Sequence, residues 1–538
     1  MSLIFDNKGG EIMDAKNLLE SLNFSKENIH RQALVYSFSN ILTLSMLSGF
    51  GVKYNIPEKK LDIFSKKINN EFSLDVEKND DLQDLFCIGE LDSLSNGDNK
   101  FFLDTDFDFV KDLEPITAIY SKTSITSPHE GNLETELNLP LELDNKDFEK
   151  KLKPKTQGLL ILNEVNMSRL LYDRSVIKKN LASSKPEKFI GMLLLDLAVN
   201  QATFCHNHLK NHDGLFIEKE HDPSNSNEFN LGEKTKGVDW EDQAYMILSY
   251  STLWETLNNP KYERYFDSTR ANTFKNYALE LLSILENYES EIIKLDTANL
   301  SSFISSITES LSILDRERKH LGFVLSLCDE LYGRQKKKGF MISHSSTNKT
   351  ASLASHFKSM EALINGFQYT NFDIFLNASE KVYNNLDSIW DDNIGLFNID
   401  GRDNIRYSSK SISYVLRALN KLLRTTTSSK IKESINNQLT DFFDSSINGT
   451  GLQSPPPSLR NNMNMLRSSD TPGSIIESMI EDKKAYVIEK GFEINKNNSQ
   501  IRKYSKEFSS EYALLASDAM LNLAIEDDAK LEATSPKT

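Results

Sequence analysis

Apolar residues recur along much of this chain at helical spacing. Phe274, Tyr277, Ala278, Leu281, Leu282 and Leu285 fall at i, i+3, i+4, i+7, i+8 and i+11. Phe372, Leu376, Ser379, Val382, Tyr383 and Leu386 repeat the design. This spacing predicts amphipathic helices with one face on a core and one toward water. Other segments are apolar on every side, as in Ala244 to Leu248 and nearly so in Ile190 to Leu195. A helix apolar all round is enclosed all round. Alternating amphipathic and enclosed helices predict two concentric helical layers. Residues 1–50 read as one or two further helices. Residues 51–156 are acidic, broken by Asn, Asp and Pro, and show no sustained period; only Lys100 to Val110 alternates like an edge strand.

Glycines punctuate the helical part. Gly158, Gly214, Gly339, Gly395 and Gly451 are each followed by Leu or Phe, often with further apolar residues. They are spaced by 56, 125, 56 and 56 residues, the long interval being about two units with one silent member. Gly491 is a sixth beat that arrives early. A unit of this size is two helices plus connections, and several such units build a helical array or a closed ring. Each glycine is expected to carry the chain out of a helix in the left-handed conformation, into a short apolar strand. Ser454 to Ser474, with three consecutive prolines, is expected to be a long loop, and Glu526 to Thr538 a disordered tail.

Composition narrows the function classes. The chain has 538 residues with only 22 Gly and 13 Pro, which argues against an all-β fold rich in tight turns. The net charge of −16 disfavours nucleic acid as a partner. Three scattered cysteines build neither a disulfide framework nor a CxxC metal site. The first residues lack the pattern of a signal peptide, and Ala33 to Gly51 is interrupted by polar residues, so it reads as a buried helix rather than a membrane span. The expectation is a cytoplasmic protein with no membrane partner. GxGxxG before a helix, GxxxxGK[ST], GxSxG and HExxH are all missing, so dinucleotide, nucleotide and serine-hydrolase chemistry have no support.

Two phrases resemble a known superfamily. Asp239-Trp240-Glu241-Asp242-Gln243-Ala244-Tyr245-Met246-Ile247-Leu248, followed by Asn259-Pro260-Lys261-Tyr262, resembles the inner-helix phrase of six-hairpin (α/α) toroids. Ser388 to Phe397, with Trp390-Asp391 and then Gly395, resembles their outer-helix exit. The match is to the six-hairpin glycosidase-like superfamily, including N-acylglucosamine 2-epimerase-like and unsaturated-glycan hydrolase-like proteins. It implies an all-α (α/α)6 toroid with short β-hairpin connections over residues 158–525, an irregular N-terminal region over 1–157, and a tail over 526–538. The superfamily holds sugar hydrolases, lyases, epimerases and members without clear catalysis, so fold alone does not name the reaction.

Position in the repeat selects candidate residues. After the glycine strands stand Glu218, Glu220, His221 and Asp222, then His344, then Asp400 and Asp403. With Trp240, Trp390 and Tyr407 they would make an acidic, aromatic mouth suited to a carbohydrate or other small polar ligand. Glycoside chemistry needs one protonated acid and one ionised partner. Asp242 and Glu220 are the expected pair, with His221 or His344 as an alternative acid/base. Against this, Asp239 is a reasonable N-cap, and Glu241 and Asp242 suit the start of that helix. Cys205, His208 and His212 could share a helical face and hold zinc with His221 or Asp222, although His near a helix C-terminus is also ordinary. No cofactor is expected. The alternative to an enzyme is a non-catalytic toroid that binds a glycan, peptide or partner through the same mouth.

Overall fold

The computed structural model describes residues 26–78, 114–124, 148–173, 185–222, 230–233, 237–399, 401–454, 487–497, 501–503 and 507–525. The Lys100–Val110 strand, the bulk of the Ser454–Ser474 loop, Asp400 and the 526–538 tail lie outside the described residues. Among the described residues thirteen long helices run in chain order: α1 (Lys26–Met46), α2 (Glu58–Lys78), α3 (Pro154–Tyr172), α4 (Lys185–His208), α5 (Trp240–Leu257), α6 (Ser268–Glu286), α7 (Thr297–Leu314), α8 (Leu321–Gly333), α9 (Leu353–Thr370), α10 (Asp373–Asp387), α11 (Ser409–Thr425), α12 (Ser429–Phe443) and α13 (Ser510–Ala524).

Six of them close an inner ring. α3 packs on α5, α5 on α7, α7 on α9, α9 on α11, α11 on α13, and α13 returns to α3. Outer helices pack against them: α4 on α3, α6 on α5, α8 on α7 and α9, α10 on α9, α12 on α11, and α1 on α13. This is an (α/α)6 toroid, with small antiparallel sheets at its connections.

The sixth outer helix is the first of the described helices. Asn40 of α1 donates to the carbonyl of Ala513 at 3.1 Å and to Ser517, and accepts from the backbone N–H of Ile488 at 3.1 Å. The packing therefore does not divide at residue 158: residues 26–46 complete the ring, and its first inner helix starts at Pro154. Ile190 to Leu195 also departs from expectation. This apolar-all-round segment sits in an outer helix, α4, because α2 and the strand Ile116–Ile119 lie over it as a further layer. Glu187–His208 is the one helix among the described residues long and apolar enough to cross a membrane, and 78% of its apolar window is buried within the protein.

The glycine corners fall where expected at four positions. Gly214, Gly339, Gly395 and Gly451 have φ of 81°, 95°, 63° and 59°. The first three turn hairpins that bridge Lys210 to Phe216, Gln335 to Met341, and Trp390 to Phe397. Each hairpin tip meets the next outer helix. A Cβ on Gly339 would stand 2.3 Å from the Lys381 carbonyl of α10, and one on Gly395 2.4 Å from Ser445 Oγ. The 56-residue beat is thus a repeated contact between neighbouring hairpins.

Two glycines differ. Gly158 lies inside α3, where the missing side chain lets α5 approach; its Cβ would stand 3.1 Å from the Tyr245 carbonyl. Gly491 starts the strand Gly491–Asn495, paired with Asn404–Ser408 and with Ile501–Lys503, and is not a left-handed corner. At the silent position, between α6 and α7, a one-turn helix (Glu289–Ile292) replaces the hairpin. Buried Arg334 clamps that corner, donating to the carbonyls of Ile293 and Leu295 at 2.7 and 2.8 Å.

Candidate functional site

The inner helices all begin at one end of the ring. Lys155, Glu241, Lys410 and Glu511, from the first turns of α3, α5, α11 and α13, meet there with Lys358 of α9. They form an alternating row across the axis. Lys358 Nζ is 3.1 Å from Glu241 Oε1; Glu241 Oε2 is 2.7 Å from Lys155 Nζ; Lys155 Nζ is 3.2 Å from Glu511 Oε1; and Glu511 Oε1 is 3.1 Å from Lys410 Nζ. Lys358 also donates to the Ala298 carbonyl at the start of α7, so all six inner helices contribute. Tyrosines frame the row: Lys155 Nζ stands 5.1 Å from the Tyr245 ring and Lys358 Nζ 4.6 Å from the Tyr414 ring.

A second tier of charge lies deeper. Arg417 of α11 pairs with Glu361 at 2.8 Å, with Glu309 at 3.7 Å and with Asp518, and Lys421 also pairs with Glu309. Buried charge persists only when paired, because desolvation costs several kcal/mol per ion. Here the pairing comes from different helices, so the axis is cross-linked by charge.

Burial and neighbours set the protonation states. Burial opposes the charge of Glu241, but Lys155 and Lys358 overcome it and hold its carboxyl far below the usual range. For Glu511 burial is likewise outweighed by Lys155 and Lys410, which bring the carboxyl down to about 2. Asp242 behaves oppositely: burial, then the nearby Asp239, push its carboxyl well up, although Oδ1 accepts the backbone N–H of Lys155 at 2.9 Å. Adjacent carboxyls are thus driven apart, one ionised and one favouring its proton.

The residues expected from sequence are distributed as follows. Asp239 caps α5 by accepting the Glu241 N–H at 2.9 Å. Trp240 is half-buried, its ring 5.0 Å from that of Tyr288. Glu220 and His221 lie on the strand Lys219–Asp222, which pairs with Lys151–Leu152 just before α3, so they sit beside the end of the ring that holds Asp242 and Lys155. His221 Nδ1 is 2.8 Å from the Tyr120 hydroxyl, and burial, then Lys150, lower its pKa. Glu218 is half-buried and Asp222 exposed on the same segment. No hydrogen bond or ion pair joins Asp242 to Glu220 directly.

Others are committed elsewhere. His344 has both ring nitrogens engaged, Nε2 with the Lys294 carbonyl in the α6–α7 connection at 2.8 Å and Nδ1 with the Ser346 N–H of its own loop at 3.1 Å. Tyr407 belongs to the core rather than the mouth. It is buried, donates to the Phe397 carbonyl at 2.7 Å, and stacks on Phe492. Trp390 packs edge-on against Phe397 and donates to Asp392 at 2.7 Å, anchoring the hairpin at Gly395. Cys205, His208 and His212 are not brought together: α4 ends at His208, Cys205 is buried, and His212 is 90% exposed in the turn beyond. Among the described residues no group of three His, Cys, Asp or Glu is placed to hold a metal.

The axial residues Lys155, Lys358, Glu361, Lys410, Tyr414, Arg417, Glu511 and Asp518 were missed. Their signal was a polar stripe on an otherwise apolar helix. Lys410, Tyr414, Arg417 and Lys421 fall at i, i+4, i+7 and i+11, and Glu511 and Asp518 at i and i+7. At the opposite end of the ring, a cavity of about 500 Å³ opens between the ends of α3, α5 and α13. Its charged walls are paired, Arg169 with Glu255 at 2.6 Å and Lys261 with Asp173.

No protein-family model matches this chain, and no curated protein does. Solved structures resemble it in fold. A D-mannose isomerase aligns over 76% of this chain and 91% of its own at 9% identity and a TM-score of 0.46. A cellobiose 2-epimerase from Bacillus thermoamylovorans B4167 aligns over 74% and 93% at 9% identity and 0.43. An unsaturated glucuronyl hydrolase specific for heparin aligns over 78% and 93% at 10% identity and 0.41. The six-hairpin toroid is established by the packing of this chain's own helices, and these resemblances add no role to it.

Proposed function

We propose that this toroid binds a small carbohydrate at the N-terminal rim of its axis without cleaving a glycosidic bond. The observation that carries the reading is the row Lys358–Glu241–Lys155–Glu511–Lys410. Lysine and carboxylate groups bond hydroxyls, and the Tyr245 and Tyr414 rings hold Lys155 and Lys358 in place beside them. Two-carboxylate hydrolysis needs one carboxyl with a proton to give. Glu241 and Glu511 share Lys155, and both are held ionised, so the row itself supplies no such acid.

The test is calorimetric titration of the full chain with neutral and acidic monosaccharides and disaccharides, alongside release of a chromogenic aglycone from aryl glycosides. Binding without release is expected. Binding of none of the sugars overturns the reading.

A second reading, sugar hydrolysis or epimerisation at the same rim, is favoured by Asp242. Its raised pKa beside ionised Glu241 is the arrangement acid–base chemistry uses. On that reading Asp242 is the acid, and Glu220 and His221, on the strand next to α3, are the flanking groups. Turnover that Asp242→Asn abolishes, while sugar binding persists, would install this reading over the first.

A further inference from the structure

Residues 331–360 contain no Asp or Glu, in a chain that carries 78 of them in 538 residues, or about four in every 30. The same stretch holds Arg334, Lys336, Lys337, Lys338, Lys349 and Lys358. The acids at its borders are already paired, Glu330 with Arg334 at 2.9 Å and Glu361 with Arg417 at 2.8 Å. Arg334 and Lys358 are buried, but Lys336, Lys337, Lys338 and Lys349 are exposed. These four lie in the connection from α8 to α9, at the end of the ring where the inner helices begin.

The fold gathers two more lysines onto this connection. Its hairpin tip, Gly339, packs on the carbonyl of Lys381 of α10, and His344 bonds the carbonyl of Lys294 at 2.8 Å; both lysines are exposed. Lys336 Nζ donates to the Asn348 carbonyl at 2.8 Å, which holds the turn bearing Lys349 against the hairpin. Six exposed lysines thus share one edge of the rim, and none of their ammonium groups has an ion-pair partner among the described residues. Tyr332, in the last turn of α8, is 38% exposed next to them.

Like charges gathered without countercharge favour a partner of the opposite sign. The residue type narrows its class. Arginine grips carboxylate and phosphate through a rigid fork and is enriched in protein interfaces, where lysine is depleted. The one arginine of this stretch is spent on the α6–α7 corner, and every exposed cation is a lysine, a point charge on a flexible stem. That composition suits a broad field of anions rather than a shaped surface. An exposed tyrosine, apolar in its ring and polar at its tip, suits a headgroup boundary. We infer that this edge of the ring docks on a membrane surface bearing anionic phospholipid headgroups. The contact is peripheral and no segment crosses the bilayer, so it revises the expectation of no membrane partner, which weighed spans alone. It is independent of the sugar reading.

The experiment is co-sedimentation of the full-length protein with vesicles of phosphatidylcholine alone, and of phosphatidylcholine with about one-third phosphatidylserine, at ~0.1 M salt. Binding to the anionic vesicles only is expected, weakening as salt rises to ~0.5 M. A lysine near an anionic surface contributes about five-fold in binding, so Lys336→Gln, Lys337→Gln and Lys338→Gln together should weaken it about 100-fold. These side chains are exposed, so the melting temperature should be unchanged. Lys59→Gln, Lys66→Gln and Lys430→Gln remove the same charge from exposed positions on α2 and α12, and should leave binding within about two-fold. Equal loss in the two triple variants overturns the inference, because it reports total charge rather than this edge. Equal binding to both kinds of vesicle, or to neither, also overturns it, as does capture of poly-glutamate or DNA without capture by anionic vesicles.

Discussion

Glu164 offers a quantitative test of how the ring is built. It lies on α3, fully buried, and its Oε1 accepts from Gln201 Nε2 of α4 at 3.0 Å, while Oε2 has no hydrogen-bond partner. Burial pushes its carboxyl from 4.5 up to about 8, opposed only in part by the Ser45 hydroxyl and the Gln201 amide. The folded protein therefore holds a proton here that the unfolded chain releases. With the folded pKa raised, the contribution to stability is complete below the unfolded value, is lost as pH rises, and is gone above about 8. One pKa unit corresponds to about 1.4 kcal/mol, so at pH 7 the native state forfeits about 3 kcal/mol relative to pH 4.5 at this site. Glu164→Gln keeps the shape and removes the titration. Urea unfolding of both proteins between pH 5 and 8.5 is the assay. The stability difference, variant minus native, should climb by about 3–5 kcal/mol across that range. Other titrating groups, such as Asp444, are common to both proteins and cancel in the difference. Parallel pH profiles would refute the claim that Glu164 is a buried neutral acid.

Three further outcomes follow from the packing. Gly339→Ala places a Cβ 2.3 Å from a backbone carbonyl at φ 95° and should cost about 2–3 kcal/mol in chemical denaturation. Gly401→Ala, at φ 61° with nothing within 4 Å, should cost about 1 kcal/mol, and equal losses would show that the hairpin contact does not matter. Arg417→Met leaves Glu361 and Asp518 without their cation and should cost about 3–5 kcal/mol at neutral pH. The loss should shrink in acid as Asp518, whose carboxyl burial pushes up, takes a proton; a pH-independent loss would argue against the charge cross-link. Asn40→Ala removes three hydrogen bonds at the ring closure and should lower stability by about 2–3 kcal/mol, read by thermal or urea unfolding.

Local grammar in the sequence exposed the repeat. The left-handed corners at Gly214, Gly339, Gly395 and Gly451 and the Asp239 cap depend on backbone conformation within a few residues, so they could be read directly. Gly158 could not, because a helical glycine that admits a neighbouring helix leaves the same mark as a corner. The role of α1 was hidden for a different reason: its partner α13 lies more than 460 residues away, and no periodicity within a segment names a distant partner. The same limit separated Asp242, buried at the start of α5 beside Lys155, from Tyr407, whose ring is spent in the core. An aromatic after a hairpin looks alike in both settings. The axial charges were present as stripes, but a charged residue on an apolar helix declares its meaning only once the opposing helix supplies the countercharge.

That α1 docks on α13 has a consequence for synthesis. A growing chain can make each earlier inner–outer hairpin as it emerges, yet the seam cannot seal until the closing segment has left the ribosome. Until then α1 carries a largely apolar surface, from Ile29 to Met46, with its permanent neighbour not yet translated. A truncated product would keep that surface bare, so early termination should send this protein to aggregation or to chaperones rather than to a shorter stable ring.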